Sequence, residues 1–166
     1  MRVGFGCDHS GVDMKNKLIE HLKNKGYDCV DYGTYAPDVP VDYPIKGEEV
    51  AQALLKGDVE KAVLICGTGI GISLAANKVP GIRAAVCSEP YSARMSVEHN
   101  DANIIAMGAR VVGDELAKTI VDAFFDAEYQ GKENERHRRR VGLITEIERK
   151  HSRYRDGHAS LFALQS

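Results

Sequence analysis

The chain has 166 residues and a formal net charge of −2, so its length suits one domain and its charge gives no general attraction for nucleic acid or an anionic membrane. Hydrophobic residues make up 43% and charged residues 28%, which is typical of a globular protein and excludes collagen-like and disordered classes. No apolar stretch approaches the roughly 20 residues that span a bilayer, and the N-terminus lacks a signal-peptide core. Its four cysteines show no CxxC spacing. We therefore expect a cytoplasmic protein with reduced thiols.

Short β-rich apolar runs alternate with segments of helical spacing along the whole chain. In the first helical segment Met14, Leu18 and Leu22 recur every four residues, and Gly26 follows as a stop signal. Two later segments repeat this scheme with apolar stripes formed by Val50, Leu54 and Leu55, and by Leu116, Ile120, Val121, Phe124 and Phe125. The predicted strands are residues 2–5, 28–32, 62–66, 83–87 and 103–107.

This alternation predicts an α/β fold of the Rossmann-like type. Strands joined by helices favour right-handed crossovers, and the result is a three-layer α/β/α sandwich around a parallel sheet of about five strands. We expect the functional site at the carboxyl ends of those strands. One domain is predicted over residues 1–150, followed by a C-terminal extension, 151–166, to which the pattern assigns no structure.

The third predicted strand runs directly into a glycine-rich loop and then a helix. Glycines Gly67, Gly69 and Gly71 let the backbone approach a ligand closely, and N–H groups at a helix start attract negative charge. The loop is therefore a candidate cradle for a phosphate or for a developing oxyanion. Many α/β proteins use such a loop merely to turn the chain, and this alternative stays open.

A nicotinamide or other dinucleotide is a rival ligand for the same loop. The dinucleotide fingerprint is GxGxxG, whereas Ile72 gives this loop GxGxG. Glu89 follows about 20 residues further on, where a ribose-binding acid is sought. The missing third glycine disfavours the dinucleotide without eliminating it.

Cys66 ends the third strand immediately before the glycines. A cysteine at such a place is often a small buried hydrophobe. A helix N-terminus, however, stabilises a thiolate, which can then act as a nucleophile or a general base. Cys7, Cys29 and Cys87 lack this setting and are predicted to be core residues.

Acidic, imidazole and guanidinium groups stand at other predicted loops. Asp8 and His9 follow the first strand, where Asp8 is alternatively a helix cap. His99 and Asn100 precede the fifth strand, where a histidine is often only a surface residue. Positive charge is concentrated in three arginines, which are either a solvated basic face or phosphate ligands: Arg110, Arg136 and Arg140.

The motifs GCDHSG, DYP, ICGTGIGISLAANK, GIRAAVCSEPYSARMSVEHNDANIIAMGARVVG and RHRRRVGLI occur in this order over about the first 150 residues. In them the sequence resembles the type B ribose-5-phosphate isomerases and their relatives that act on allose 6-phosphate and galactose 6-phosphate. The resemblance implies an aldose-ketose isomerase that works by proton transfer through an enediolate, without metal or other cofactor.

The resemblance also implies a role for each candidate residue. Cys66 is the base, Thr68 moves a proton between sugar oxygens, His99 opens the furanose ring and Asp8 assists it. N–H groups of the loop, Gly67, Gly69, Ile70 and Gly71, stabilise the enediolate. The residues that bind phosphate or sugar are His9, Tyr43, Asn100, Arg110, Arg136 and Arg140.

Family resemblance further implies a homodimer whose sites draw residues from both chains. The leading substrate is ribose 5-phosphate, in the pentose phosphate pathway, and a hexose 6-phosphate is the alternative. A phosphosugar or nucleotide binding module without turnover is the rival from another class. Nucleic acid and membrane are not expected as partners. In the tail, Leu161, Phe162 and Leu164 are candidates for packing on a partner subunit.

Overall fold

The structure, a computed structural model, describes residues 1–152. Its strands are β1 (Arg2–Cys7), β2 (Asp28–Asp31), β3 (Lys61–Cys66), β4 (Ala84–Val86) and β5 (Ile104–Gly108). Its helices are α1 (Val12–Asn24), α2 (Tyr43–Lys56), α3 (Ile70–Ala76), α4 (Pro90–Asn100), α5 (Asp114–Phe125) and α6 (Glu135–Ser152). Short 3-10 turns occupy His9–Gly11 and Gln130–Lys132.

The five strands form one parallel sheet in the order β2-β1-β3-β5-β4. Connections that leave β1 and β3 run in opposite directions across the sheet, so a crevice opens between these two strands at their carboxyl ends. All five predicted strands are present, with ends shifted by one or two residues. The predicted parallel α/β fold is confirmed.

Helices cover both faces of the sheet. One core cluster joins β1, β3 and β5 to α1, α4 and α5, and it includes the predicted stripe residues Met14, Leu18 and Leu22. The other cluster joins the opposite face to α2 and α3. The sheet is therefore the middle layer of three, as predicted.

Two predicted stripe residues are not part of the core. Leu55 is 47% exposed and Leu116 is 41% exposed. In α2 the buried face consists of Val50 with two alanines, because this helix packs very closely against α3: a Cβ on Gly47 would lie 2.8 Å from the Ile72 carbonyl oxygen. Such close contact favours small side chains and leaves the larger Leu55 outside.

The last helix, α6, packs against α4 and crosses the loop before β4. The backbone N–H of Gly81 donates to the Glu148 carboxylate at 3.0 Å, which fixes the distal half of α6 to this loop. Helix α6 continues to Ser152, two residues beyond the predicted domain limit. The predicted packing residues Leu161, Phe162 and Leu164 lie outside the described residues. Over residues 1–152 no helix is long and apolar enough to cross a membrane.

Candidate active site

Cys66 lies at the carboxyl end of β3 with its thiol turned back toward the loop that follows. The residue is 4% exposed, and its Sγ accepts a hydrogen bond from the Gly69 N–H at 3.1 Å. Gly69 has φ 79°, and a Cβ there would lie 2.7 Å from backbone of Met107 on β5. Only glycine fits this position, so the loop's sequence is what brings an N–H donor to the sulfur. The Gly69 N–H therefore holds the sulfur in place beside the loop.

The N–H groups of the glycine-rich loop are of two kinds: some donate to acceptors within the protein, and others are available to a ligand. Thr68 Oγ1 accepts a hydrogen bond from the Ile70 N–H at 3.3 Å. The Gly69 and Ile70 N–H groups thus already have protein acceptors. Within residues 1–152 the Gly67 and Gly71 N–H groups make no hydrogen bond, which leaves them as the donors that a bound anion can use.

An aromatic ring and a guanidinium lie beside this loop. The Tyr43 ring, at the start of α2, packs over Gly71, where a Cβ would lie 2.6 Å from the ring carbons. Arg110 follows β5, and its backbone N–H donates to the Gly67 carbonyl at 3.1 Å. Its guanidinium passes Gly67 closely, since a Cβ there would lie 3.5 Å from Nη1. The exposed Arg110 side chain therefore places positive charge at the edge of the loop.

Asp8 and His9 reach the same crevice from β1. The Asp8 N–H donates to the Ile65 carbonyl at 3.1 Å, which ties the end of β1 to β3. Asp8 Oδ1 accepts from the Ser10 N–H at 2.9 Å and hydroxyl at 2.6 Å, so the capping role is confirmed for this carboxylate. His9 Nδ1 accepts from the Val41 N–H at 3.4 Å, and Nε2 is then the nitrogen that can donate to an anion.

The remaining cysteines have a different electrostatic setting. Burial raises the pKa of the Cys7 and Cys87 thiols to about 11. The pKa of Cys29 is also raised by burial. All three thiols therefore stay protonated near neutral pH, which agrees with their predicted place in the core. Cys66 is the cysteine whose sulfur receives a backbone N–H from a helix start.

Two observations concern possible cofactors, namely a dinucleotide and a metal ion. Glu89, the candidate ribose-binding acid, caps α4 and accepts from the Tyr91 N–H at 2.6 Å and the Ser92 N–H at 2.8 Å. Its carboxylate is thus committed to the helix, which weakens the dinucleotide alternative further. Within residues 1–152 no group of three or more His, Cys, Asp and Glu side chains is arranged to hold a metal ion.

The second half of the predicted site lies at the other edge of the sheet. Helix α4 returns toward the amino end of β5, so its last residues, His99 and Asn100, precede Ile104, which pairs with Ala62 at the start of β3. Cys66 pairs with Gly108 at the far end, and the four residue-to-residue steps from Ile104 to Gly108 correspond to about 13 Å along the strands. Within one chain these residues therefore lie away from the carboxyl edge, where the functional site is expected. This follows from the predicted alternation, because a helix that joins two parallel strands returns the chain to the amino end of the next strand.

A histidine that sequence reasoning missed joins this amino-edge group. The His137 ring stacks face to face on His99, with centroids 4.3 Å apart and planes 8° apart. His137 lies in α6 between Arg136 and Arg140, both exposed, so the phosphate-ligand candidates of this helix flank the stacked pair. The signal was present as the lone histidine in the run RHRRR.

One chain thus carries two separate groups of candidate residues. The carboxyl-edge group consists of Asp8, His9, Tyr43, Cys66, the loop 67–71 and Arg110. The amino-edge group consists of His99, Asn100, Arg136, His137 and Arg140. A thiol, an N–H cradle and arginines in a parallel α/β fold are the features that the sequence resemblance implies for a sugar-phosphate isomerase.

The chain belongs to the ribose/galactose isomerase family, whose sequence profile matches residues 3–144. It is 51% identical over 149 residues to ribose-5-phosphate isomerase B of Escherichia coli, covering 90% of this chain and 97% of that protein. It is 44% identical over 136 residues to galactose-6-phosphate isomerase subunit LacB of Clostridium acetobutylicum, covering 81% of this chain and 78% of that protein.

Solved structures show the same family at the level of the fold. The structure of Clostridium thermocellum ribose-5-phosphate isomerase B superposes with a TM-score of 0.87 at 53% sequence identity. The match covers 91% of this chain and 99% of that one. Nearly the whole described part of the chain is therefore accounted for by one family fold.

Proposed function

We propose that this protein interconverts D-ribose 5-phosphate and D-ribulose 5-phosphate, a reaction of the pentose phosphate pathway. The observation that carries the proposal is the Cys66 sulfur held by the Gly69 N–H at the mouth of a glycine-rich cradle. A base of this kind, beside donors for an oxyanion, suits the removal of a proton next to a carbonyl. The 51% identity to a ribose-5-phosphate isomerase B supports the pentose substrate.

Cys66 acts on the open-chain sugar. Its thiolate takes the proton from C2, and the electron pair moves onto the C1 carbonyl oxygen to give the enediolate. The Gly67 and Gly71 N–H groups stabilise that oxygen, where negative charge develops only during the reaction. The Thr68 hydroxyl carries the O2 proton to O1. The proton held by Cys66 then returns to C1, which leaves a ketone at C2.

The amino-edge group serves a site in a second copy of the chain. His99 opens the furanose ring by proton transfer, a role suited to an imidazole near neutral pH. Arg136 and Arg140, with His9 and Arg110 from the other chain, bind the phosphate. Because about 13 Å of sheet separates the two groups within one chain, a two-fold dimer brings each into contact with its complement. Such a dimer has two equivalent sites.

Exposed apolar side chains support a homodimer. Ile70 and Leu74, one turn apart on α3, are 54% and 58% exposed beside the loop, and Ile45 on the adjacent α2 is 61% exposed. On α6, Ile144 and Ile147 are also exposed. Apolar surface beside an incomplete polar site is typical of a face that another chain covers. Cytoplasmic location stays a prediction from the sequence.

The test compares wild type, Cys66→Ala and the matched control Cys29→Ala with ribose 5-phosphate, allose 6-phosphate and galactose 6-phosphate. We expect turnover of ribose 5-phosphate by wild type and the control, and a loss of kcat of at least about 100-fold in folded Cys66→Ala. No turnover of any of the three sugars by a folded dimer would overturn the proposal in favour of a binding module.

A hexose 6-phosphate is the second candidate, favoured by the 44% identity to a galactose-6-phosphate isomerase subunit. The two readings differ in the ratio of kcat/KM between pentose and hexose phosphates. A higher kcat/KM for either hexose phosphate than for ribose 5-phosphate would replace the pentose assignment and leave the isomerase class intact.

A further inference from the structure

The stacked pair His99 and His137 contains a buried imidazole to which the proposed mechanism gives no role. The rings are nearly parallel, with planes 8° apart and centroids 4.3 Å apart. His99 is half-buried in the last turn of α4, whereas His137 is only 3% exposed. One face of the half-buried His99 ring therefore lies on the buried ring of His137.

The surroundings of His137 favour its uncharged form. Burial lowers its pKa, and the nearby His99, Arg136 and Arg140 lower it further by charge repulsion. The one acidic group next to His99 in sequence, Glu98, is engaged elsewhere: its carboxylate accepts from Arg94 and from Gln130 at 2.7 Å. A neutral imidazole can stack on His99 whether or not His99 carries a proton.

Ring orientation matters for a residue that passes protons. A general acid or base must present its nitrogen within hydrogen-bond reach of the sugar oxygen, and a misplacement of about 1 Å costs roughly 100-fold in rate. The side chain of a histidine at a helix end can rotate, and stacking on a buried ring restricts that rotation. Helix α6, which supplies His137, also carries Arg136 and Arg140. One helix therefore positions both the stacked ring and the proposed phosphate ligands.

We propose that His137 is a positioning residue that fixes the plane of the His99 ring by face-to-face stacking and so presents His99 for opening of the sugar ring. This inference rests on the proposed function for its catalytic consequence. The stack itself is a property of the ligand-free protein and can be tested separately.

The first experiment is NMR of the histidine ring protons in ligand-free protein, with His99 assigned through His99→Asn. We expect His137→Ala to move the His99 ring resonance, because the ring current of its neighbour is removed, whereas Arg139→Ala, an exposed change on the same helix, leaves it in place. An unmoved His99 resonance in folded, dimeric His137→Ala would overturn the proposal, whatever the activity.

The second experiment separates ring opening from the proton transfer at Cys66. Ribulose 5-phosphate cannot form a furanose because its 5-oxygen carries the phosphate, so exchange of its C1 proton with solvent deuterium needs Cys66 but no ring opening. We expect His137→Ala to lower kcat for ribose 5-phosphate by roughly 10- to 100-fold while KM and C1 exchange change little. His137→Phe, which retains a flat ring, should recover most of kcat.

Three results distinguish the outcomes. Equal losses of isomerisation and C1 exchange in His137→Ala would show general damage to the site and overturn the positioning role. Failure of His137→Phe to recover activity would show that the imidazole nitrogens, and not the stack, are needed. A displaced His99 resonance in a protein that isomerises none of the sugars would refute the proposed function while leaving the stack established.

Discussion

Cys66 and His99 lie at opposite edges of one parallel sheet, the thiol on the last residue of β3 and the imidazole at the end of α4, just before β5. Within one chain, the two side chains that transfer protons in the proposed reaction are therefore far apart. If both residues serve one site, that site must be shared between two copies of the chain.

Two inactive variants should restore activity to each other. If each site takes Cys66 from one chain and His99 from the other, a heterodimer of Cys66→Ala and His99→Asn contains one intact site and one doubly defective site. Random exchange should then give about a quarter of wild-type activity per dimer. The measurement is ribose 5-phosphate isomerisation after co-expression or joint refolding of the two variants.

A site built within one chain predicts the opposite result, because every chain of the mixture then carries one defect. Activity of the mixture at the level of the separate variants, with heterodimers shown by mass spectrometry to be present, would exclude the shared site. Each variant refolded alone is the control.

Local patterns predicted the strands, their parallel arrangement and the location of Cys66. An apolar run that stops at glycines marks both the end of a strand and the start of a loop. The edge on which His99 lies follows from the same pattern. Because α4 joins two parallel strands, it carries the chain back to the amino end of β5, where His99 lies.

The burial of His137, by contrast, could not be predicted from the sequence. Its neighbours in sequence are exposed arginines, and local composition predicts a solvated basic face. Only the packing of α6 against α4 turns one member of that run inward. Residues whose role depends on contact between distant helices are thus the ones that sequence reasoning missed.

Tyr43 should be displaced by a single added methyl group on the loop. A Cβ on Gly71 would lie 2.6 Å from the Tyr43 ring, which is 41% exposed and can move away. We expect Gly71→Ala to raise KM for the sugar phosphate by roughly 10-fold with little change in melting temperature. Steady-state kinetics and thermal unfolding measure the two effects.

Two further variants decide whether the Tyr43 ring is responsible. In the Gly71→Ala, Tyr43→Ala double variant the effects should be less than additive, because the two residues are in contact. Gly108→Ala is the contrasting case: its Cβ would lie 2.7 Å from the Thr68 backbone, which cannot move away, so the fold itself should be destabilised. Fully additive effects on KM would contradict the displacement of Tyr43.

Lys15 is a buried cation that holds the segment after β2 against β1. Its ammonium donates to Asp31 Oδ1 at 2.7 Å, Asp31 Oδ2 at 2.8 Å and the Thr34 carbonyl at 2.8 Å, and its side chain is 0% exposed. Lys15→Met removes this charge and leaves the Asp31 carboxylate with the Gly33 N–H but without a cation. We expect the free energy of unfolding, from urea titration, to fall by about 3 kcal/mol.

Lys17→Met is the matched control on the same helix. Lys17 pairs with Asp114 at the surface, where both side chains are about half exposed and solvent screens the pair, so its loss should lower the free energy of unfolding much less than the loss of Lys15 does. Equal losses of unfolding free energy in the two variants would mean that burial does not increase the contribution of the Lys15–Asp31 pair to stability. Replacing Asp31 by Asn together with Lys15→Met should recover part of the stability, since the unpaired charge is then removed as well.

His137 gives the protein a pH-dependent stability with a defined sign. Burial and the neighbouring cations lower its pKa in the folded state below the ordinary value of about 6.5 that the unfolded chain retains. Above that pH both states hold the ring neutral and His137 contributes no pH dependence. As the pH falls through this value the unfolded state binds a proton that the folded state does not, so unfolding becomes easier.

Replacing His137 by Phe removes this titration and keeps a ring in the stack. We expect the urea midpoint of wild type to fall more between pH 7.5 and pH 5.5 than that of His137→Phe, and the difference between the two declines isolates His137 from the other titrating groups. Equal declines would mean that His137 binds its proton equally well in both states. The buried ring would then accept charge beside Arg136 and Arg140, contrary to the electrostatics of the stacked pair.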